Sequence, residues 1–429
     1  MGKNMKNIGI IAEYNPFHNG HQYQIQEIKS IFPDKKILVI MSGDFVQRGE
    51  PAVFNKYLRT KCALHAGADI VFELPGMFAT ASAEHFASAS VLSLAATRAI
   101  DTLCFGAESD HYKLFNRIAD LLIEEPCSYK ELLKQHLKSG ISYPKARVLA
   151  VAEYLQDDEC ETLLRQPNNI LGIEYIKAIR KNHLNINPCI IKRQGNGYHD
   201  LSLENPFSSA TALRKKLSTH DFKSSNYAPT SFSYTSSLSE LSKNIPASCF
   251  HILAASEYAK PLFLSDFYNF LQYALWQQNL SYTSYFEVTS EISNRLSRLL
   301  QYPLHIEELI DYLSGKNYTN TRIRRALLNI LLKHNKEKMT RAIHTGYVSY
   351  LRILGFRSQV SPILKEIKQS STISLINKVA DAKKILSAEN YQRFQQDIQN
   401  STLYQQAFFN KYAYTMPSEY KQSVIIENL

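Results

Sequence analysis

The chain has 429 residues, long for one compact domain and suited to two or three. Hydrophobic residues make up 45% of it, enough for a sizeable core, yet no uninterrupted apolar run approaches the roughly 20 residues a bilayer-spanning helix needs. A formal net charge of +10 favours an anionic partner, nucleic acid or an anionic membrane surface, without deciding between them.

Up to about residue 215, strand and helix patterns alternate. "NIGIIAEY" reads as a buried strand. "HQYQIQEIKSIF" follows with Ile25, Ile28, Ile31 and Phe32 at helical spacing. "KKILVIMSG" is a second strand, "NKYLRTKCALHAGA" a helix stopping near Gly67, and "DIVFELP" a third strand stopped by Pro75. "SAEHFASASVLSLAATRA" reads as a helix rich in small residues and "IDTLCFGAE" as a fourth strand. Alternation of this kind predicts a Rossmann-like α/β fold, a parallel sheet with helices on both faces. Ligands of such sheets sit beyond the carboxyl ends of the strands. The unusual residues fall there: His18 and His21, Ser42 to Asp44, Glu73, and Gly106 to Glu108.

Residues 111–185 look mostly helical and read as an insertion, its last helix opening at Asn168 and Asn169, good capping residues. "NPCIIKRQGNGYHD" is a further strand and a Gly-containing loop, and "SSATALRKKLS" starts a helix with hydroxyl residues. From about 216 the character changes. A Ser-rich polar stretch, 217–240, suits a linker or loop, and mainly helical patterns follow it. In "TRIRRALLNILLKHNKEKMTR", read as one helix, Ile323, Leu327, Ile330 and Leu331 share a face. Arg322, Arg324, Arg325, Lys333, Lys336, Lys338 and Arg341 decorate the rest against a single acid, Glu337. Such an imbalance suits phosphate contacts. A solvated helix face is the plainer alternative. These divisions predict a catalytic unit at 1–215 and a mainly α-helical, basic unit at 216–429.

The six cysteines are scattered, with no C-x-x-C spacing, and read as reduced thiols in a cytoplasmic protein without a cysteine zinc site. Glu13 interrupts the first apolar run, so the start does not read as a secretory signal.

"IGIIAEYNPFHNGHQ", residues 8–22, carries the clearest chemistry. A helix N-terminus offers unpaired N–H groups and partial positive charge, which suits phosphate. His18 and His21 lie at i and i+3 and can serve one site, donating to phosphate oxygens. Two capping or buried histidines are the bland reading. A metal site is disfavoured, since two histidines need further ligands and none is obvious nearby. Ser208, Ser209 and Thr211 at a later helix start are further donors, or simple caps. Arg193 and Arg214 suit a phosphate clamp.

His18-Asn19-Gly20-His21 after a first strand, with "FSSATALR" at Phe207–Arg214, resembles the HxGH nucleotidyltransferase superfamily. "EYNPFHNGH", "GDFVQRGEPAVFNKYLRTKCALHAGADIVFELP", "FGAES", "PNNILGIEYIKAI", "IKRQGNGYHD", "RIRRALLNILL" and "YLRILGF" together resemble the bacterial tRNA(Met) cytidine acetate ligase family over most of the chain. The resemblance implies an ATP-dependent enzyme, with Mg²⁺ accompanying ATP. Acetate becomes acetyl-adenylate, and its acetyl group passes to N4 of the wobble cytidine of elongator tRNA(Met). It implies ATP contacts from residues 11–24 (Ile11, Ala12, Glu13, Tyr14, Asn15, Pro16, Phe17, His18, Asn19, Gly20, His21, Gln22, Tyr23 and Gln24) and from Gly106, Asn168 or Asn169, and Arg193. Catalytic roles are expected for His18, His21 and Asp44, although Asp44 also reads as a loop cap or a metal-binding carboxylate. Expected tRNA contacts are Arg322, Arg324, Arg325, Lys333 and Lys336. No membrane association and no protein partner are expected. A small-molecule adenylyltransferase of the same superfamily and an inactive RNA-binding protein are the alternatives.

Overall fold

The computed structural model describes residues 6–194, 205–219, 238–277 and 281–429. The loop 195–204 and positions 220–237 of the Ser-rich stretch lie outside them.

Strands β1 (Asn7–Ala12), β2 (Ile37–Ser42), β5 (Ile70–Leu74), β6 (Ile100–Ala107) and β7 (Asn187–Lys192) form a parallel array in the order β5-β2-β1-β6-β7. β1 and β2 are fully or nearly buried along their length because helices cover both faces of the sheet, which is why they read as near-continuous apolar runs. On one face, α1 (Asn19–Ile31) and α2 (Lys56–Ala66) pack Ile25, Ile28 and Leu64 against Ile8, Ile10 and Val39. On the other, α4 (Ala83–Ala96) and α9 (Pro167–Lys181) pack Val91, Leu94 and Ile176 against Leu38, Ile40 and Leu103. Five helices between β6 and β7 occupy residues 112–181. Asn55 caps α2 by accepting from Tyr57 N and Leu58 N, and Gly67 closes it at φ +120.

The sheet does not stop at residue 215. β8 (Tyr350–Arg357), containing the "YLRILGF" segment, pairs antiparallel with β5 and carries β9 (Ser374–Ile376) and β10 (Ile425–Glu427) in parallel on its outer edge. Between 216 and 349 the described structure is helical apart from isolated bridges, with its own apolar core around Phe267, Leu296, Ile310 and Leu327. The basic segment is two helices rather than one. Asn320–Leu331 ends before Lys333, which sits at φ +56, and Asn335 caps Lys336–His344 through Glu337 N and Lys338 N. An Asn with two backbone donors to satisfy starts a new helix more readily than it continues an old one. Among the described residues, no helix is long and apolar enough to cross a membrane.

A short hairpin, β3 (Phe45–Val46) and β4 (Glu50–Pro51), follows β2 in the chain. Its turn residue Gly49 has φ +75, and a Cβ there would stand 2.5 Å from the backbone nitrogen of Arg325. The hairpin is thus pressed onto helix Asn320–Leu331 at Arg324 and Arg325.

Candidate active site

The chain leaves β1 through Tyr14, held at φ +51, and a cis Asn15–Pro16 bond. His18 is the N-cap of α1, with extended backbone at φ −144 and ψ 174. Its Nδ1 accepts from Gly20 N at 3.0 Å, and its own backbone N–H donates to Nδ1 of His21 at 3.2 Å. The two rings stack with centroids 3.8 Å apart. Gly20 is required by this closure: a Cβ would lie 2.9 Å from Cε1 of His18. Because each Nδ1 accepts a backbone N–H, the ring proton of each sits on Nε2, leaving two N–H donors on one helix end. Burial, reinforced by Arg193 and Arg214, pushes His18 down to about 3, and burial with His18 and Arg193 holds His21 well below the usual range. Both imidazoles are therefore neutral donors at physiological pH.

These donors face a cavity that collects the carboxyl ends of β1 and β6 and a second helix start. Ser209 accepts from Ala212 N at 3.2 Å at the head of α10 (Ala210–Thr219). Arg214, one turn in, donates to the carbonyl oxygen of Asn15 at 2.9 Å and lies 3.3 Å from a carboxylate oxygen of Glu50. Arg193 follows β7, its backbone N–H bonded to Ala107 O at 2.9 Å. Two residues distant in sequence thus fix Arg214 against the turn that carries His18.

Of the expected nucleotide contacts, Ile11, Ala12, Glu13, Tyr14, Asn15, His18, His21, Gln24, Gly106, Asn168, Arg193, Ser209, Thr211 and Arg214 line this cavity. Gly20 and Tyr23 line an adjoining smaller hollow. Others stand behind the wall. Phe17 packs its ring 4.7 Å from Tyr14. Asn19 donates to Pro206 O and Lys243 O. Gln22 and Pro16 belong to the helix start and its turn without lining the cavity. Ser208 is buried, donating to Asn205 O at 2.7 Å and accepting from Asn244. The adjacent asparagines separate. Asn168 lines the cavity and donates to Glu108 at 2.6 Å. Asn169 is buried, accepting from Glu108 N and Ser109 N and donating to Leu163 O, and so pins the loop after β6.

Asp44 lies elsewhere. Its Oδ1 accepts from Lys56 N at 3.0 Å, and its Oδ2 is 3.7 Å from Lys56 Nζ. Lys56 is fully buried and also reaches Glu73 at 2.8 Å and Glu419 at 3.1 Å. Arg352 bonds both of those carboxylates. The expected RNA contacts are divided as well. Lys333 and Lys336 are exposed. Arg322 lies over the Tyr318 ring, 5.0 Å from its centroid. Arg324 pairs with Glu50, and Arg325, 9% exposed, pairs with Glu287 at 2.8 Å.

Several contributors had no nucleotide role assigned from the sequence, where Gln47 and Arg48 read as either RNA-facing or structural. Gln47 and Arg48 line the cavity from the β3–β4 hairpin, with Gln47 N bonded to Glu13 at 2.8 Å. Phe86, Phe105, Leu171 and Tyr175 form its apolar wall. Arg59, 2% exposed, donates to the carbonyls of Phe54, Glu13, Ser42 and Gly43, tying the ends of β1 and β2 together. The polar turn "DFVQRGEP" was the available signal for Gln47 and Arg48. Arg59 sits in an unremarkable helical pattern and had none.

A parallel sheet with two helix starts, two neutral imidazoles and three arginines at one carboxyl-end cavity is the arrangement of an enzyme that handles a nucleoside triphosphate. The HIGH Nucleotidyl Transferase family profile matches residues 5–419, and the chain belongs to that family.

Within it the chain belongs with the tRNA(Met) cytidine acetate ligases. The protein of that name from Thermoanaerobacter sp. (strain X514) is 37% identical over 405 residues, 94% of this chain and 96% of its own. Its counterpart from Acetivibrio thermocellus is 37% identical over 426 residues, 98% of this chain and all of its own. Thermotoga maritima TmcAL, whose crystal structure was solved without ligand, superposes at TM-score 0.89 with 28% identity, covering 99% of this chain and 100% of that one. Its form bound with alpha-thio ATP superposes at 0.86.

Proposed function

We propose that the chain is an ATP-dependent ligase that activates acetate and acetylates N4 of the wobble cytidine of elongator tRNA(Met). The observation that carries this reading is the junction of HNGH and SSATALR at one cavity, in a chain matched over nearly its whole length by ligases of that name. In the first step an acetate oxygen attacks the α-phosphorus of ATP. The bond from that phosphorus to the bridging oxygen breaks, and diphosphate leaves with the electron pair. In the second, the cytidine N4 attacks the acetyl carbon, AMP leaves with the electron pair of the anhydride bond, and N4 gives up a proton.

The residues suit these steps. His18 and His21 offer Nε2–H donors to the α-phosphate oxygens, where charge reorganises during attack. Neutral rings do this without surrendering a proton. Arg193, Arg214 and Arg48 surround the space for the β- and γ-phosphates and the departing diphosphate. Phe86, Phe105 and Tyr175 supply apolar surface for the nucleoside. Among the described residues, no group of three or more His, Cys, Asp or Glu side chains is placed to hold a metal ion. Mg²⁺ that accompanies ATP is commonly held by the phosphates, water and one or two carboxylates rather than by a full protein cage. In this reading residues 1–215 supply most of the nucleotide chemistry, and the segments beyond supply the exposed cations Lys333 and Lys336 for RNA. Six unpaired thiols accord with a reducing, cytoplasmic setting.

The test uses purified protein, ATP, radiolabelled acetate and tRNA(Met). Acetate-dependent ATP–diphosphate exchange without RNA, and acetate label in the tRNA with it, are expected. Exchange driven by a metabolite other than acetate, or RNA binding with neither activity, would overturn the reading.

A further inference from the structure

A second cavity opens on the same edge of the sheet. It has a volume of about 260 Å³ and lies beyond β5, where Pro75, Met77 and Phe78 leave the sheet and Tyr350 enters β8. β5 is two strands from β1 and β8 is three, so this cavity lies to one side of the nucleotide cavity along the sheet.

Its walls combine ring surface, cations and a carboxylate. Tyr347 stands with its ring centroid 5.6 Å from that of Phe78, and its hydroxyl is 3.1 Å from Nδ1 of His85. Tyr347 and Lys333 flank helix Lys336–His344 and are both left-handed, at φ +67 and +56. Glycine is the usual residue at such positions. Two such side chains line one cavity. Arg341 and Arg393 each have a glutamate four residues back, Glu337 and Glu389. Lys333 and Lys338 make no ion pair among the described residues and are exposed at the rim. Inside, Asp397 accepts from Gly76 N at 2.8 Å on one oxygen and from the Tyr350 hydroxyl on the other. Each oxygen keeps a lone pair. Burial pushes this carboxyl up to about 7, so a further donor would be welcome.

We propose that this cavity is a nucleobase pocket for an anticodon-loop nucleotide of the RNA substrate other than the acetylated cytidine. Its base stacks on Tyr347, an exocyclic amino group donates to Asp397, and the flanking phosphates meet Lys333 and Lys338. The inference rests on the function proposed above and adds a second point of RNA recognition to it. Adenine, cytosine and guanine carry such an amine and uracil does not.

Anticodon stem-loop RNAs, each with one abasic loop residue, test it against the full-length wild-type, Asp397→Asn and Lys338→Ala proteins. Wild type is expected to lose about tenfold affinity at one loop position besides the target. Asp397→Asn should bind intact RNA about tenfold more weakly and lose nothing more at that position. Lys338→Ala should weaken every RNA alike and flatten the salt dependence. Acetate-dependent ATP–diphosphate exchange, which needs no RNA, is measured on all three. Absence of exchange in wild type would sink the ligase reading itself. Intact exchange with the same abasic profile in wild type and Asp397→Asn would overturn the pocket alone. Loss of exchange in Asp397→Asn would also overturn it, making that carboxylate a structural tie.

Discussion

Two clusters of charge lie on the carboxyl edge of one sheet, and they differ in how their charges are balanced. Around Lys56, the cations Lys56 and Arg352 meet the carboxylates of Glu73 and Glu419 within 4 Å, with Asp44 3.7 Å from Lys56. That cluster is closed and bridges strands to the C-terminal segment. Around His18, Arg48, Arg193 and Arg214 line a cavity wall with Glu13, Glu50 meets Arg214 from behind, and two imidazoles are held neutral. The first cluster closes on itself and makes a fold. The second turns its cations and neutral donors towards a cavity and makes a site for a polyanion. The presence of charged residues at a strand end therefore locates an edge, and whether they close on one another or line a cavity tells whether it binds.

The largest expected effect lies in the closed cluster. Glu419→Gln leaves Lys56 and Arg352 short of a buried counter-charge and should destabilise the protein by about 3–5 kcal/mol, read as a lower urea midpoint. Although burial opposes it, Lys56 and Arg352 hold Glu419 down at about 2. The stability it lends is thus complete above about pH 4.5 and fades as the pH falls towards 2. An unchanged midpoint would mean the cluster is not the tie described.

His18→Asn sharpens the contrast from the other side. Asn caps helices well, so stability should change by less than about 1 kcal/mol. The Nε2–H donor is lost, and acetate-dependent exchange should fall about a hundredfold, roughly 2.7 kcal/mol of barrier. Exchange at the wild-type rate would assign His18 to capping alone.

The contrast also explains what was legible in the sequence. β1, α1 and the HNGH turn could be read because a buried apolar run, a cap and a glycine all lie within 25 residues of one another. SSATALR could be joined to them through resemblance, not through any local signal. The Asn168 and Asn169 roles stayed open because adjacent helix positions differ only in which neighbours they meet, here the cavity or Glu108 N and Leu163 O. The basic segment showed cation density but hid its partners: Arg324 meets Glu50 from 274 residues away. β8 escaped a topological assignment because an antiparallel strand added across a helical region leaves no trace in local periodicity.

His18 titrates near 6.5 in an unfolded chain and at about 3 here, through burial and then Arg193 and Arg214. Between those values the unfolded chain holds a proton that the folded one lacks, so stability falls as the pH drops from about 6.5. From pH 7 to 4.5 the wild type should lose about 2 kcal/mol more than His18→Asn does in urea titrations. Equal losses would show that the ring takes up its proton in the folded protein as readily as in the unfolded chain, and that burial does not hold it neutral.

The smallest effect is expected at Asp44, where the two clusters can be confused. Its Oδ1 accepts from Lys56 N, and an asparagine oxygen can do the same. Its second oxygen lies 3.7 Å from Lys56 Nζ, farther than Glu73 at 2.8 Å or Glu419 at 3.1 Å. Asp44→Asn therefore removes the weakest of three attractions on one ammonium while keeping the cap. Stability should fall by about 1 kcal/mol or less, and kcat for acetate-dependent exchange should stay within about threefold of wild type, about 0.6 kcal/mol of barrier. A catalytic carboxylate would behave differently. Its neutral amide would lower kcat about a hundredfold with the urea midpoint unmoved. That outcome would require Asp44 to turn from Lys56 towards the nucleotide during the reaction, and would make the closed cluster a part of the site.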